Sequence, residues 1–119
     1  MDTSNASANS EHVYRVDKFA VPEAARAEFL NVVKRTHAFL KTLPGLVRDA
    51  VLEQFSGSGE FNFVTIVEWE NMTVFDNARQ AVAAMHARHN FNPQELIVRL
   101  GIRADLANYR QLDITEGSS

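Results

Sequence analysis

This chain has 119 residues, and the stretch FNFVTIVEWE, residues 61–70, restricts its possible folds more than any other segment. Successive side chains of a β-strand point to opposite faces of the sheet. One face of this strand carries aromatic rings and ends in the only tryptophan of the chain, Trp69. The opposite face carries Val64 and Ile66, together with the two glutamates that flank the tryptophan. The strand therefore needs apolar cover on both faces, and the carboxylates point away from the indole ring.

Periodic apolar residues predict helices and further strands on either side of this segment. Pro22 fits the first turn of a helix, which Pro44 and Gly45 end. The short segment SGSGE, residues 56–60, joins two strands as a hairpin. The predicted strands cover residues 12–19, 46–55, 61–70 and 102–112, and the predicted helices cover residues 22–43 and 92–101, with another helix starting at Asn71 or Thr73.

The order strand, helix, strand, strand, helix, strand is typical of an α+β, ferredoxin-like fold, with the helices on one face of an antiparallel sheet. The predicted domain covers residues 12–112, with a disordered N-terminal tail at residues 1–11 and a polar C-terminal tail at residues 113–119. The apolar second face, to which Val51 and Phe55 contribute, predicts an interface between two sheets in a homodimer. The alternative is that the terminal segments fold over this face.

The composition excludes several classes of protein. The chain has no cysteine, so disulfides, thiolate catalysis and cysteine-bound zinc or iron–sulfur clusters are excluded. A net charge of −3, without a run of Lys or Arg, argues against a nucleic-acid partner. No apolar run approaches the length of about 20 residues that a membrane helix needs, and the N-terminus lacks the pattern of a signal peptide. We expect a soluble cytoplasmic protein.

Four short motifs are spread along the predicted elements: VP…AR…FL at the first helix, PGLV before the second strand, VEWEN…F…A after the third, and LGI…Y near the end. Together they resemble the antibiotic biosynthesis monooxygenase (ABM) domain family over residues 12–112. The resemblance implies a dimeric α+β barrel with a pocket between sheet and helices in each protomer. Members of this family include cofactor-free monooxygenases of polycyclic phenols and quinols, haem-degrading oxygenases and a small-sugar isomerase, so the fold does not decide the function.

Trp69 is the first candidate for the site. Its ring is either part of a packed core or the surface on which a flat aromatic substrate stacks. The resemblance implies a catalytic role, because the matching tryptophan lines the active site of the cofactor-free monooxygenases. Thr65 stands where those enzymes have an asparagine, and Phe75 where they have a phenolic ring; both are candidate substrate-binding residues. The haem-degrading enzymes have their tryptophan at the position of Ala78, which argues against haem breakdown.

Two histidines near the end of the second long helix are candidate bases. At about 100° per residue, His89 falls in the middle of the apolar stripe and His86 at its edge, and the resemblance also places a basic residue at His89. We take His89 as catalytic and His86 as substrate-binding, although each fits a core or solvated histidine as well. Their spacing suits two metal ligands, but no third ligand is evident nearby, so no metal site is predicted. His37 is interpreted as a residue of the rim or solvent, and His12 is given no role.

The sequence therefore predicts a monooxygenase that oxidises a flat phenol or quinol with dioxygen and needs no metal or flavin. Two alternatives stay open: a binding protein that shields a small apolar metabolite without chemistry, and a haem-binding protein in which His89 or His86 is the axial ligand. Charged residues in the outer strands are interpreted as ion pairs at the barrel rim, which contribute little when exposed; they are Arg15, Asp17, Arg103 and Asp105.

Overall fold

The computed structural model describes residues 11–114 and contains the predicted elements in the predicted order. The strands are β1 (Val13–Ala20), β2 (Leu46–Glu53), β3 (Phe63–Trp69) and β4 (Arg103–Tyr109). The helices are α1 (Arg26–Leu40), α2 (Met72–Arg88) and α3 (Pro93–Arg99), and a short 3₁₀ turn, Glu23–Ala25, leads into α1. The α+β, ferredoxin-like fold is confirmed. Within residues 11–114, none of the helices is long and apolar enough to cross a membrane.

Some helices and strands begin or end at other residues than predicted, because local hydrogen bonds determine where each one starts and stops. Helix α1 stops at Leu40 because the backbone then tightens, and Leu43 N donates to Leu40 O at 3.0 Å. Strand β2 ends before Phe55, and residues 54–62 form a longer connection than the predicted hairpin. Asn71 caps α2, since Val74 N donates to Asn71 Oδ1 at 3.0 Å. The predicted tails lie almost wholly outside the described residues.

The register of the sheet aligns side chains across its strands. The strand order is β2-β3-β1-β4, and every neighbouring pair is antiparallel. Directly paired residues of an antiparallel sheet point to the same face. Val13 pairs with Trp69 and Phe19 pairs with Phe63, so these four side chains share one face. All three helices pack against that face.

The helix-facing side buries two separate apolar clusters. The Phe29 cluster consists of Phe19, Val21, Ala25, Phe29, Phe63 and Ile102. The Trp69 cluster consists of Leu40, Val67, Trp69, Phe75 and Ala78. Strand β3 and helix α1 contribute residues to both, so the clusters lie at opposite ends of one interface between the sheet and α1. Such burial is the main stabilising term for a domain of this size.

The other face of the sheet carries apolar side chains that no described helix covers. Val64 and Ile66 of β3 lie on it, as their alternation with Trp69 predicts. The residue of β2 that pairs with Val64 is Leu52, and the prediction of Val51 was wrong. A β-bulge at the start of β2 shifts the register by one residue and so reverses which side chains face the helices. Phe55 lies beyond the strand and is 96% exposed.

Gly45 is required at the turn into β2 for two reasons. Its φ angle is +89°, in the region that favours glycine, and a Cβ at this position would come within 2.6 Å of the Val74 side chain. The turn therefore lets the start of α2 pack directly on the backbone. Gly57 also has a positive φ, +98°, but a Cβ there would meet nothing within 4 Å.

We predict that Gly45→Ala lowers the free energy of unfolding by about 2–4 kcal/mol, which combines left-handed strain with overpacking against Val74. The matched variant Gly57→Ala carries only the backbone strain and is expected to lose about 1 kcal/mol. Urea denaturation of both variants measures the difference. Equal losses in the two variants would show that the contact with Val74 is unimportant.

Candidate functional site

Trp69 lies on the helix-facing side of the sheet, as predicted, and is 2% exposed. Its neighbours in the Trp69 cluster include Leu40 from α1 and Phe75 from α2. Thr65, four residues before Trp69 on β3, faces the same side and is also buried. Three of the residues implied by the family resemblance, Trp69, Thr65 and Phe75, therefore lie between the sheet and the two long helices, and the indole packs against side chains of both helices.

A separate cleft lies between α1 and the end of α2. It encloses about 540 Å³ and is lined by Val32, Arg35, Thr36, Phe39, Met85, His86, His89 and Phe91. The ring of His86 meets that of Phe91 edge-on, with 5.1 Å between centroids. Burial, and then the nearby charge of His89, lower the pKa of His86 below its ordinary value. His86 is therefore held in its neutral form, which can accept a proton or a hydrogen bond.

The predicted site residues thus fall into two groups rather than one. Trp69, Thr65 and Phe75 do not line the cleft that contains His86 and His89. The predicted place of His89 in the apolar stripe was wrong, because α2 ends at Arg88 and His89 is exposed beyond it. The roles assigned to these residues stay predictions.

A band of polar side chains crosses the helix-facing side between the two apolar clusters. We define this polar band as Arg15, Asp17, His37, Asp49 and Thr65. Asp17 pairs with Thr65, and Val67 pairs with Arg15 on one side and with Asp49 on the other. On α1, His37 falls between Val33, which packs on the Phe29 cluster, and Leu40 of the Trp69 cluster. Polar groups from three strands and a helix therefore meet where a continuous core would otherwise lie.

The polar band is held together by charged hydrogen bonds. Arg15 Nε donates to Asp17 Oδ1 at 2.7 Å, and His37 Nδ1 lies 2.8 Å from Asp49 Oδ2, which ties α1 to β2. The side chain of His37 is 12% exposed, so its predicted place at the rim or in solvent was wrong. Burial raises the pKa of Asp17, and the charges of Arg15 and His37 only partly oppose this effect. Asp17 is thus a carboxyl group that can hold a proton more readily than usual.

The sequence contained a signal for part of this band. Arg15 and Asp17 alternate in phase with Val13 and Phe19, so the period-2 pattern already placed them on the inner face. Arg15, Asp17, Arg103 and Asp105 were predicted to form ion pairs at the rim without assigned partners; Arg15 pairs with Asp17, with side chains 30% and 22% exposed, and Arg103 pairs with Glu60. Nothing in the sequence pairs His37 with Asp49, since that contact depends on how α1 sits on the sheet. Among residues 11–114, no three His, Asp or Glu side chains are grouped so as to hold a metal ion.

Glu68 provides a contrast on the opposite face of the same sheet. It is 5% exposed, His12 Nδ1 lies 2.6 Å from one carboxylate oxygen, and Arg48 Nε donates to the other at 2.7 Å. Burial by itself opposes ionisation, but hydrogen bonds from His12, Arg48 and Tyr14 together outweigh it and lower the pKa of Glu68. This carboxylate is saturated with partners and fixed in its charged form.

The fold and site define a ferredoxin-like α+β protein with a cleft between its long helices and ionisable groups beneath them. Residues 12–90 match the sequence model of the family described as antibiotic biosynthesis monooxygenase. The chain belongs to this family. No protein of curated function matches it significantly.

Solved structures share the fold. SnoaB from Streptomyces nogalater, described as a cofactor-independent oxygenase, has 23% sequence identity and a TM-score of 0.61, over 89% of this chain and 98% of that one. MhuD from Mycobacterium tuberculosis, a haem degrader with two haems bound, has 24% identity and a TM-score of 0.61, over 87% and 99%. A conserved protein from Methanosarcina mazei has 15% identity and a TM-score of 0.64, over 90% and 99%. At these identities the likeness establishes the fold alone.

The opposite pKa shifts of Asp17 and Glu68 predict opposite pH dependences. The folded state favours protonated Asp17, so its contribution to stability is greatest below the ordinary pKa of 3.8 and falls as pH rises through the raised value. Glu68 contributes stability above its ordinary pKa of 4.5, which is lost as pH falls through the lowered value. The stability of Asp17→Asn relative to wild type should therefore rise with pH in the acid range, and that of Glu68→Gln should fall. Urea titrations at several pH values measure both, and slopes of the same sign would contradict the assignment.

Proposed function

We propose that this protein is a monooxygenase that oxidises a flat phenol or quinol with dioxygen, without metal or flavin. With an anthrone as substrate, the ring CH₂ becomes a carbonyl, one oxygen atom enters the product and the other leaves as water. The electrons come from the substrate itself, so no external reductant is needed. The protein has to bind the flat rings, remove a proton to make them electron-rich, and exclude competing water.

The observation that carries this proposal is the cleft of about 540 Å³ between α1 and α2. Its volume lies in the range of small-molecule sites, and its walls combine apolar side chains with imidazole rings. Such walls suit a flat apolar molecule with one ionisable hydroxyl group. Family membership supports the same chemistry, and SnoaB is a cofactor-independent oxygenase of the same fold.

Within this proposal, the substrate stacks on Trp69 and Phe75 beneath the helices, with Thr65 as a hydrogen-bonding partner. The indole is 2% exposed, so a ligand reaches it only when neighbouring side chains of the Trp69 cluster move. Removal of the phenolic proton requires a base, and His89 and His86 are the histidines of the cleft through which a ligand would enter. Imidazole is the side chain that most often acts as a general base in enzymes.

The homodimer remains part of the proposal. The open face of the sheet has an apolar centre formed by Val16, Leu52, Val64, Ile66 and Ala107, with Tyr109 at its edge. Contiguous apolar patches of this kind usually mark an interface. A second copy of the chain, packed sheet to sheet across a two-fold axis, would cover the patch on both molecules at once.

Oxygen uptake with hydroxynaphthalenes or anthrones tests the function. We expect wild-type protein to consume oxygen and form the quinone. Trp69→Phe should lower kcat/KM about fivefold, since a lost stacking contact is worth about 1 kcal/mol, and His89→Ala should lower kcat about 100-fold if it is the base. Unchanged activity in both variants would refute these site assignments.

Haem binding is the second candidate, favoured by the neutral His86 in the cleft and by the haems bound to MhuD. Titration with haemin distinguishes it. A saturable Soret band that is lost in His86→Ala would favour haem as the ligand, whereas no band together with turnover of phenols favours the oxygenase. Tight binding of a naphthol without oxygen uptake would indicate that the protein binds a small apolar metabolite and does not catalyse its oxidation.

Sedimentation velocity tests the dimer. Leu52 is 50% exposed on the open face, and Leu52→Arg should shift the protein to monomers because it would bury a charge at the interface. Val98→Arg is the control, because Val98 is 80% exposed on α3. A wild-type protein that sediments as a monomer at micromolar concentration contradicts the proposal.

A further inference from the structure

We infer that the polar band is the acid–base centre of the proposed oxygenase, in which His37 takes the proton from the substrate hydroxyl and Asp49 is its positioning partner. This inference rests on the proposed function and names a base other than His86 and His89. It follows from where the register places the polar band relative to Trp69.

The geometry of His37 is that of an oriented base. Its Nδ1 lies 2.8 Å from Asp49 Oδ2, and the two side chains are 12% and 16% exposed. A carboxylate that accepts the Nδ1 proton fixes the tautomer and leaves Nε2 as the nitrogen that can take up a proton. The same carboxylate stabilises the imidazolium that forms. Asp49 therefore acts through His37 and needs no contact with the substrate.

The distance from Trp69 matches the size of the proposed substrate. Val67 precedes Trp69 by two residues on β3, which corresponds to about 7 Å along the strand. Asp49 and Arg15 flank Val67 as its partners on β2 and β1. Fused aromatic rings stacked on the indole and extending along β3 would carry a hydroxyl group to the level of the polar band. The cleft of His86 and His89, by contrast, is lined by none of Trp69, Thr65 and Phe75.

The charges around His37 suit transfer of a proton from a phenol. The substrate O–H bond breaks, its electron pair stays on the oxygen, and the proton forms a bond to Nε2. The imidazolium is then held beside the carboxylate of Asp49, while the guanidinium of Arg15, 2.7 Å from Asp17, can face the phenolate. The phenolate is the electron-rich species that reacts with dioxygen.

The band is also open on one side. Asn108 of β4 accepts a hydrogen bond from Arg15 at 3.3 Å, and Leu106, on the same face, is 44% exposed. The helices therefore do not seal the polar band at the β4 edge of the sheet.

Anaerobic binding of a nitronaphthol tests the inference separately from turnover. The probe changes colour on ionisation, and its titration is made at a pH near its own pKa. Wild-type protein should raise the ionised fraction of the bound probe, whereas His37→Gln should bind it with little change in Kd and leave the ionised fraction at the free value. Asp49→Asn should lower the ionised fraction part of the way. In air, His37→Gln should reduce kcat about 100-fold or more while changing KM little.

His12→Gln is the matched control. His12 also has its Nδ1 beside a carboxylate, Glu68, at 2.6 Å, but on the opposite face of the sheet. It should ionise the probe as the wild type does. The inference is overturned if His37→Gln ionises the probe normally, if His12→Gln loses the effect as well, or if the wild type does not bind the probe. If His37→Gln does not fold, Asp49→Asn carries the same test.

The two hypotheses fail in different ways. Ionisation of the bound probe that depends on His37, without oxygen uptake on any phenol, would contradict the proposed oxygenase and leave the acid–base assignment intact. Oxygen uptake that is unaffected in His37→Gln but lost in His89→Ala would support the oxygenase and overturn the role of His37.

Discussion

The antiparallel register of β3 with its two neighbours is the constraint on which the rest of the structure depends. The inner face of β3 runs from Phe63 through Thr65 and Val67 to Trp69, so its polar position lies between apolar ends. Strand β1 repeats this pattern, with Asp17 and Arg15 between Phe19 and Val13. Because the register brings the polar positions of adjacent strands together, the core divides into two clusters. Helix α1 contributes apolar residues to both clusters, and His37 lies on α1 between them.

This division carries an energetic cost that the hydrogen bonds only offset. Polar groups removed from water lose hydration, and buried ion pairs are often no more stabilising than apolar residues of the same size. In residues 11–114 every buried side-chain nitrogen or oxygen has a partner, so the band is satisfied rather than defective. A continuous apolar core would fill the same space without the need to orient hydrogen-bond donors and acceptors towards each other. Retaining ionisable groups there is typical of sites whose chemistry needs them, where stability is given up for function.

The sequence predicted the architecture because each strand has a strong local pattern. The inward orientation of Trp69, the outward orientation of Glu68 and the order of elements all follow from alternation and helical periodicity. The errors arose where one tertiary feature changes the phase. The bulge at the start of β2 placed Val51 on the helix-facing side instead of the open face, and the end of α2 at Arg88 leaves His89 exposed at the edge of the cleft that it lines. The contact between His37 and Asp49 could not be predicted from the sequence, because the apolar periodicity of a helix does not determine how the helix is rotated on the sheet.

The pKa values of the buried carboxyl groups on the two faces of the sheet are shifted in opposite directions, and this difference distinguishes the chemistry of the two faces. Glu68 has several strong donors, and its pKa is lowered, so it is committed to the charged state. Asp17 has one guanidinium partner, and burial dominates, so its pKa is raised. The open face therefore uses its carboxylate to hold β2, β3 and the residue before β1 together, whereas on the helix-facing side burial favours the protonated form of Asp17.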